Sequence, residues 1–572
     1  MLIRNNFRRQ FYDVIKKEHV LLIAHNDVDA LCTTQIFIHL FNSDDVAFSL
    51  VTVSGWESLN RAIEDNIEKY NVIVLVNCGG NRSLMDIPMP STTKIFVIDS
   101  LRPFDLDNIF AEDNVRILVV EDELREMKIP AVKDIYASDS ESDEDEESGE
   151  DTSKKDLEDV EARAMRRSQK QQWNKRRADL LWEYYEKSWY SAPSSILMLE
   201  VAHEIGKSCA ELMWCAVVGL NSQLMDNLIS LEAYTQVCID RLRTFIRRFS
   251  PRDSALKADG ILKISFDKDD EYYRLPLPMY SHWSLYKSMV NHEYFVCESR
   301  YWQQRGDHDM RTLLANLGLT LSECNQLFSA MCQERRTEVF QILMQKIDYS
   351  FASFTAIIDY CKRINACDLA RVLSHKLEIG LNNESTIHER FMEGLNLLER
   401  FFRAHLGFGP VLKGIENYKI SLEAVTSLVL VSINQSYILP CGPFFVLIIP
   451  QSEHVKLLSS RHFLLLFANF VLKAFCTMGR KNRAFRPLII AVPLSEEEEE
   501  GWLKVTGIMP LNTVYADVYY KSFIGQAFER VAERLPNCGI KRDYFDPSII
   551  LLKSDDRIRF FDGLQAVLET VS

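Results

Sequence analysis

The chain has 572 residues, with 66 Lys+Arg against 81 Asp+Glu and a formal charge of −15. Hydrophobic residues at 47% and aromatics at 11% suffice for large cores and exclude a mostly disordered chain. Nine acids fall between Ser138 and Asp151 and five more at Glu496 to Glu500, so the remainder is close to neutral. A uniformly acidic body is thereby excluded, and a local basic groove is not.

Length suggests roughly three or four domain-sized units. The 13 cysteines are scattered and include no Cys-x-x-Cys pair, which points to free thiols in a reducing compartment. The first residues lack the pattern of a signal peptide. The longest apolar run in the C-terminal half, Phe463 to Leu472, is about half a membrane span, so an intracellular protein without a membrane partner is expected.

In chain order, Phe7, Phe11, Val14 and Ile15 mark a short helix, and Val20 to Ala24 a buried strand. A helix over Ala30 to Phe41 follows, then a strand at Phe48 to Val53, an amphipathic helix over Trp56 to Tyr70, and strands at Val72 to Val76, Ile95 to Ile98 and Ile117 to Val120. Short apolar strands separated by helices imply a parallel sheet covered on both faces. Ser138 to Asp151 reads as a disordered acidic loop, and Arg163 to Arg177 as a helix with seven bases and no acid. Ser194 to Met225 and Leu231 to Phe249 are helical, Ile261 to Leu277 is β-like, and His282 to Leu377 is almost wholly helical. Strands return at Val425 to Val431, Phe444 to Ile449 and Pro487 to Val492, with helices near Arg461 to Cys476 and Lys521 to Glu533. The expected architecture is α/β: a first domain over 1–135 and 160–275 interrupted by the acidic loop 136–159, an inserted helical domain over 276–380, and a second, smaller α/β domain over 381–572.

Ligands gather at the carboxyl ends of strands in such sheets. There the sequence places Asp27-Val28-Asp29, then Asn77-Cys78-Gly79, then Asp99-Ser100-Leu101-Arg102-Pro103. Clustered hard oxygens suit divalent cations, although a loop capping the next helix explains Asp-x-Asp equally well.

The set resembles the DHH phosphoesterases, which include the RecJ exonucleases. In that family, Asp-x-Asp, Asp-x-Gly, Asp-His-His and a helix bearing Gly-x-x-x-Asp hold two metal ions, typically manganese. The resemblance maps those ligands onto Asp27 and Asp29, Asn77, Asp99 with Ser100 and Leu101, and Gln223. Asn77 and Gln223 each remove a charge and Leu101 offers no donor. The set should not hold a reactive metal pair, and no metal or cofactor is expected. The Gly-Gly-His loop of the family's second domain, DHHA1-like here, falls near Ile524-Gly525-Gln526, without its His.

Further fingerprints span the chain. Asp27 to Cys32, Val53-Ser54-Gly55-Trp56, Trp214 through Gln223, His282-Trp283-Ser284-Leu285 and Phe523-x-Gly525-x-Ala527-Phe528-Glu529 are similar to the cell division control protein 45 family. The resemblance implies a nuclear, non-catalytic scaffold subunit of the eukaryotic replicative helicase. It would act with the MCM hexamer and the GINS complex, beside the replication fork's DNA polymerases, and contact single-stranded DNA. The competing reading is a Mn-dependent single-strand exonuclease.

Other features keep two readings each. Ser138, Ser140 and Ser142 are phosphosites for an acid-directed kinase or lie in a solvated spacer. Arg166, Arg167, Lys175, Arg176 and Arg177 form a nuclear import signal, a partner for the acidic loop, or a phosphate-contacting helix. Arg480, Lys481, Arg483 and Arg486 are a solvated turn or a single-strand contact in the cleft between the α/β domains. Glu496 to Glu500 is a hairpin tip that protects a sheet edge or docks to a basic partner.

Overall fold

Apolar runs in the first 120 residues become strands, those in the middle of the sheet buried on both faces and the edge strand at Phe48–Val53 half-buried. In the computed structural model these are β1 (Leu2–Ile3), β2 (Val20–His25), β3 (Phe48–Val53), β4 (Val72–Val76), β5 (Lys94–Ile98) and, after the short β6 (Leu101–Arg102), β7 (Val115–Leu118). Five of the intervening crossings give a six-stranded sheet in the order β1-β7-β5-β4-β2-β3, parallel throughout. The side-chain period of two divides each strand between two cores. Val72, Val74 and Val76 face one, and Ile73 and Leu75 face the other. Helix α1 (Val28–Ser43) lies on the first face and α2 (Trp56–Glu64) on the second.

The structure describes residues 1–90, 92–111, 114–136, 156–249, 263–265, 277–346, 354–359, 362–379, 385–402, 408–451, 454–479, 483, 485–494, 501–511 and 519–571. Ser138, Ser140, Ser142, Arg480, Lys481 and Glu496 to Glu500 lie outside them.

Helix α3 (Asp156–Tyr185) carries the basic stretch, and strand β8 (Trp189–Tyr190) pairs with β6. Helices α4 (Ser194–Ile205) and α5 (Ala210–Met225) then pack with α1 over the first sheet. Residues 277–343 build a separate small core around Leu285, Phe295, Leu314 and Leu343.

The helical reading up to Leu377 is corrected beyond that core. Strands β9 (Lys263–Ser265), β10 (Thr355–Asp359) and β11 (Lys362–Asn365) form an antiparallel three-stranded sheet, and α6 (Ala366–Glu378) returns to pack on α5. Long-range pairing with β9 decides the state of Thr355 to Asp359, and a local window does not contain that partner.

Val425 to Val431 is helical, against the expected strand. It lies within α7 (Gly409–Asn434), whose buried Ile415, Leu422, Val425, Val429 and Ile433 recur at helical spacing while Val431 is exposed. The β-branched composition of the short run suggests a strand. The 26-residue stretch, with Pro410 in its first turn, decides for a helix.

The second sheet comprises β12 (Ile438–Cys441), β13 (Phe444–Ile448), β14 (Leu488–Pro493), β15 (Trp502–Ile508), β16 (Ile540–Lys541) and β17 (Ile549–Lys553), in the order β12-β13-β14-β15-β17-β16. Here β14 and β15 are interior strands, each paired on both sides. Helix α8 (Arg461–Met478) is long and apolar enough to span a membrane, beyond the half-span expected. It is a core helix, with 61% of it buried. Together with α1, α4, α5, α6 and α7 it forms one helical layer between the two large sheets, which share a continuous core. Helices α9 (Ile524–Arg534) and α10 (Arg557–Val571) cover the far face of the second sheet.

Candidate functional site

Five chain segments meet at the carboxyl end of β2, β4 and β5. Asp27 is the N-cap of α1 and accepts from the Ala30 N–H at 2.7 Å. Asp29 lies in the first turn of α1 and is buried. Asn77 follows β4 in the left-handed region (φ 53°), which turns its amide back over the acids. Its Nδ2 donates to Asp29 Oδ2 at 2.9 Å and, more weakly, to Asp27 at 3.2 Å.

Asp29 also receives the start of α4. The Ser194 N–H donates to Oδ2 at 2.8 Å, while the Ser195 N–H and hydroxyl donate to Oδ1 at 3.1 and 2.6 Å. Four donors fill the four acceptor directions of one carboxylate. The positive end of the α4 dipole adds to them where a cation would sit. Gly219 on α5 makes this closeness possible, because a Cβ there would stand 2.2 Å from Ser195 Oγ and 2.6 Å from Asp29 Oδ1. Ser194 Oγ in turn donates to Asn77 Oδ1 at 2.5 Å.

Asp99 is satisfied by backbone. Its Oδ1 accepts from the Leu101 N–H at 3.0 Å and Oδ2 from the Gly80 N–H at 3.3 Å. The Ser100 carbonyl accepts both the N–H and the hydroxyl of Ser191, and Leu101 is buried in the β6–β8 pair. Gln223 is buried beside the same cavity, and its Oε1 has no partner among the described residues. The structure thus brings together Asp27, Asp29, Asn77, Ser100 and Gln223, whereas Leu101 turns into the core.

What remains is a cavity of about 30 Å³, room for one water-sized occupant. Arg461 lines it, at the first position of α8, with its Nη2 2.7 Å from the Tyr190 hydroxyl and 2.9 Å from Asp546 Oδ2. Asp226 and Glu378 also line it; Asp226 pairs with His462 at 2.5 Å, and Glu378 accepts from the His462 N–H. None of these was singled out in the sequence. Ser194 and Ser195 follow Pro193 at a helix start, a signal for a helix N-terminus, but nothing local says that this N-terminus points at Asp29.

Burial pushes the carboxyls of the coupled pair Asp27 and Asp29 above the ordinary range, and that of Asp99 likewise. Burial drives His25 down to about 4, with Arg461 adding to the effect. A two-metal centre needs several anionic ligands with free lone pairs. Among the described residues, Asp27, Asp29 and Asp99 do not bring three ligand oxygens within 4.8 Å of one another. The donor set does not fit the metal pair.

The basic residues lie elsewhere. Arg167, Lys175, Arg176 and Arg177 are exposed on α3, where Arg176 reaches Asp134 at 3.6 Å, and Arg166 shares that helix. Arg483 stacks on Phe475 at 4.1 Å, and Arg486 faces Phe445 at 5.8 Å. Both line a groove of about 490 Å³ beside β12 and the end of α8, away from the Asp27 cavity.

Fold and site together define an α/β protein with a parallel sheet whose strand-end acids are engaged by its own side chains and backbone. A family model described as CDC45 matches residues 20–164 and 133–567. The cell division control protein 45 homolog of Homo sapiens is 30% identical over 584 residues, covering 99% of each chain. The Saccharomyces cerevisiae cell division control protein 45 is 20% identical over 640 residues, covering 95% of each. The crystal structure of CDC45 from Entamoeba histolytica superposes with a TM-score of 0.68 at 17% identity, covering 99% of both chains. The chain belongs to the CDC45 family and is a DNA replication factor.

Proposed function

We propose that this protein is a non-catalytic scaffold subunit of the replicative DNA helicase, acting in the nucleus with the MCM hexamer and GINS. The observation that carries the non-catalytic part is the saturation of Asp29 by Ser194, Ser195 and Asn77. A carboxylate with every acceptor direction used cannot also ligate a metal without breaking buried hydrogen bonds, each worth about 1.5–3 kcal/mol to a charged group. Family membership supports the helicase assignment. In the same proposal, the first domain spans 1–135 and 160–275, the insertion 276–380 and the second domain 381–572, with single-stranded DNA and the fork's polymerases as further partners.

Purified full-length protein is incubated with single-stranded DNA and Mn²⁺. No degradation above that of an Asp27→Ala/Asp99→Ala variant is expected, and degradation lost in that variant overturns the non-catalytic reading. Affinity capture of the tagged chain from nuclear extract is expected to return MCM and GINS subunits. Their absence overturns the helicase assignment.

A further inference from the structure

Where α1 and the start of α5 pack together, three metal-ligating side chains of different chemistry meet. His39 is on the penultimate turn of α1, Cys209 is the N-cap of α5, and Glu211 lies in the first turn of α5. Their ligand atoms all lie within 4.8 Å of one another, and each side chain is half-buried. Among the described residues this is the only such group. The edge of a tetrahedral zinc site with bonds of about 2.0–2.3 Å is about 3.3–3.8 Å. Small side-chain rotations therefore close the set around one ion.

We propose that His39, Cys209 and Glu211 bind a single divalent cation of the zinc class, clipping α1 to the N-terminus of α5. A thiolate and a carboxylate balance the two positive charges, and the imidazole completes three protein ligands. The fourth vertex is left to water. Among the described residues, neither the His39 ring nor the Glu211 carboxylate is engaged in a hydrogen bond or ion pair, so both are available to an ion. Lys207, two residues before Cys209, is engaged elsewhere, its Nζ 2.6 Å from Asp44 Oδ1. Arg248 lies 3.4 Å from Ser208 Oγ and from His203 Nδ1, beside the turn leading into Cys209. Mixed thiolate, imidazole and carboxylate ligation favours zinc over the hard cations magnesium and calcium.

The site is distinct from the strand-end carboxylates, and it lies on the outer end of the same α1–α5 contact whose inner end holds Gly219 against Asp29. An ion there would brace the packing that keeps the Asp29 cradle closed.

The test uses the full chain dialysed against chelator. Titration with Co²⁺ is expected to give a thiolate-to-cobalt charge-transfer band saturating at one ion per chain. Cys209→Ser should abolish the band, and His39→Ala and Glu211→Gln should each weaken binding by roughly tenfold or more. In the wild type, Zn²⁺ should protect Cys209 from alkylation while the exposed Cys332 continues to react, a measurement that needs no variant. Absence of the band, a band of equal strength in Cys209→Ser, or alkylation of Cys209 unchanged by Zn²⁺ overturns the proposal.

Discussion

The Ser195 hydroxyl donates to Oδ1 of Asp29 at 2.6 Å, across 166 residues of chain, in a space that only a glycine at position 219 leaves open. This contact turns a strand-end acid into the receptor for a helix N-terminus, and it makes the cradle testable by a single methyl group. Gly219→Ala should lower stability by about 2–4 kcal/mol, the combined effect of overpacking and of a loosened bond to a buried charge. Ser195→Ala, which only removes the hydroxyl, should cost less, about 1.5–3 kcal/mol. Denaturant midpoints of the two variants check the order.

Asn77→Asp restores the acid of the resembled motif, and it should weaken the fold. The substitution replaces a donor shared by Asp27 and Asp29 with a third buried carboxyl. Burial raises the proton affinity of such groups, so the folded state takes up protons more readily than the unfolded state. The penalty is then largest at alkaline pH and shrinks as pH falls towards the ordinary carboxylate range. Urea titrations should show a loss of about 2–4 kcal/mol at pH 8 and a smaller loss at pH 5. Mn²⁺ should not reverse it, because Leu101 and Gln223 supply no anionic ligand.

Arg461 links Asp546 to the Tyr190 hydroxyl of β8, which belongs to the first part of the chain. The pair is half-buried, with an Arg461–Asp546 distance of 2.9 Å. Burial opposes ionisation of Asp546, yet Arg461 and Ser548 hold its carboxyl below the ordinary range. Nearby, the Asp543 carboxylate and carbonyl accept the first N–H groups of α2, and Phe545 packs on His25 and Trp56. Asp546→Ala leaves the half-buried guanidinium with Tyr190 but without its carboxylate and should cost about 1.5–3 kcal/mol. Arg461→Met with Asp546→Leu should recover much of that loss, read as the coupling energy of a double-mutant cycle in thermal unfolding.

Acid stability reports on His375. Burial lowers its pKa to about 4, with His462 and Lys376 adding to the shift, so the folded state keeps it neutral. The unfolded chain binds the proton at about 6.5, so stability is fully present above that pH and is lost as pH falls from 6.5 towards 4. At pH 5 the loss from this group is on the order of 1–2 kcal/mol. His375→Gln keeps a polar partner for Ser421, which lies 3.1 Å from Nε2, and should flatten the melting temperature between pH 7 and pH 5. An unchanged slope in the variant contradicts the assignment.

Much of the first sheet was legible because its strands are short, wholly apolar and separated by helices, so local pattern and burial coincide. Asp27, Asp29, Asn77 and Ser100 were placed correctly at the strand ends for the same reason. Val425 to Val431 was misread because a seven-residue β-branched run looks alike in a strand and in a buried helix, and only the length of α7 separates the two. Thr355 to Asp359 was misread because its pairing partner β9 lies some ninety residues upstream.

The parallel sheet, the acids at its strand ends and the uncharged side chains of Asn77, Leu101 and Gln223 were legible in the chain alone, since each follows from residue identity and local periodicity. What engages the strand-end acids follows only from the packing of distant segments. The N-terminus of α4, the space beside Gly219 and the Arg461–Asp546 pair come from segments far apart in the chain. A hydrogen bond or a close approach between such segments is fixed by how helices pack across a sheet, and no short stretch of sequence contains both partners.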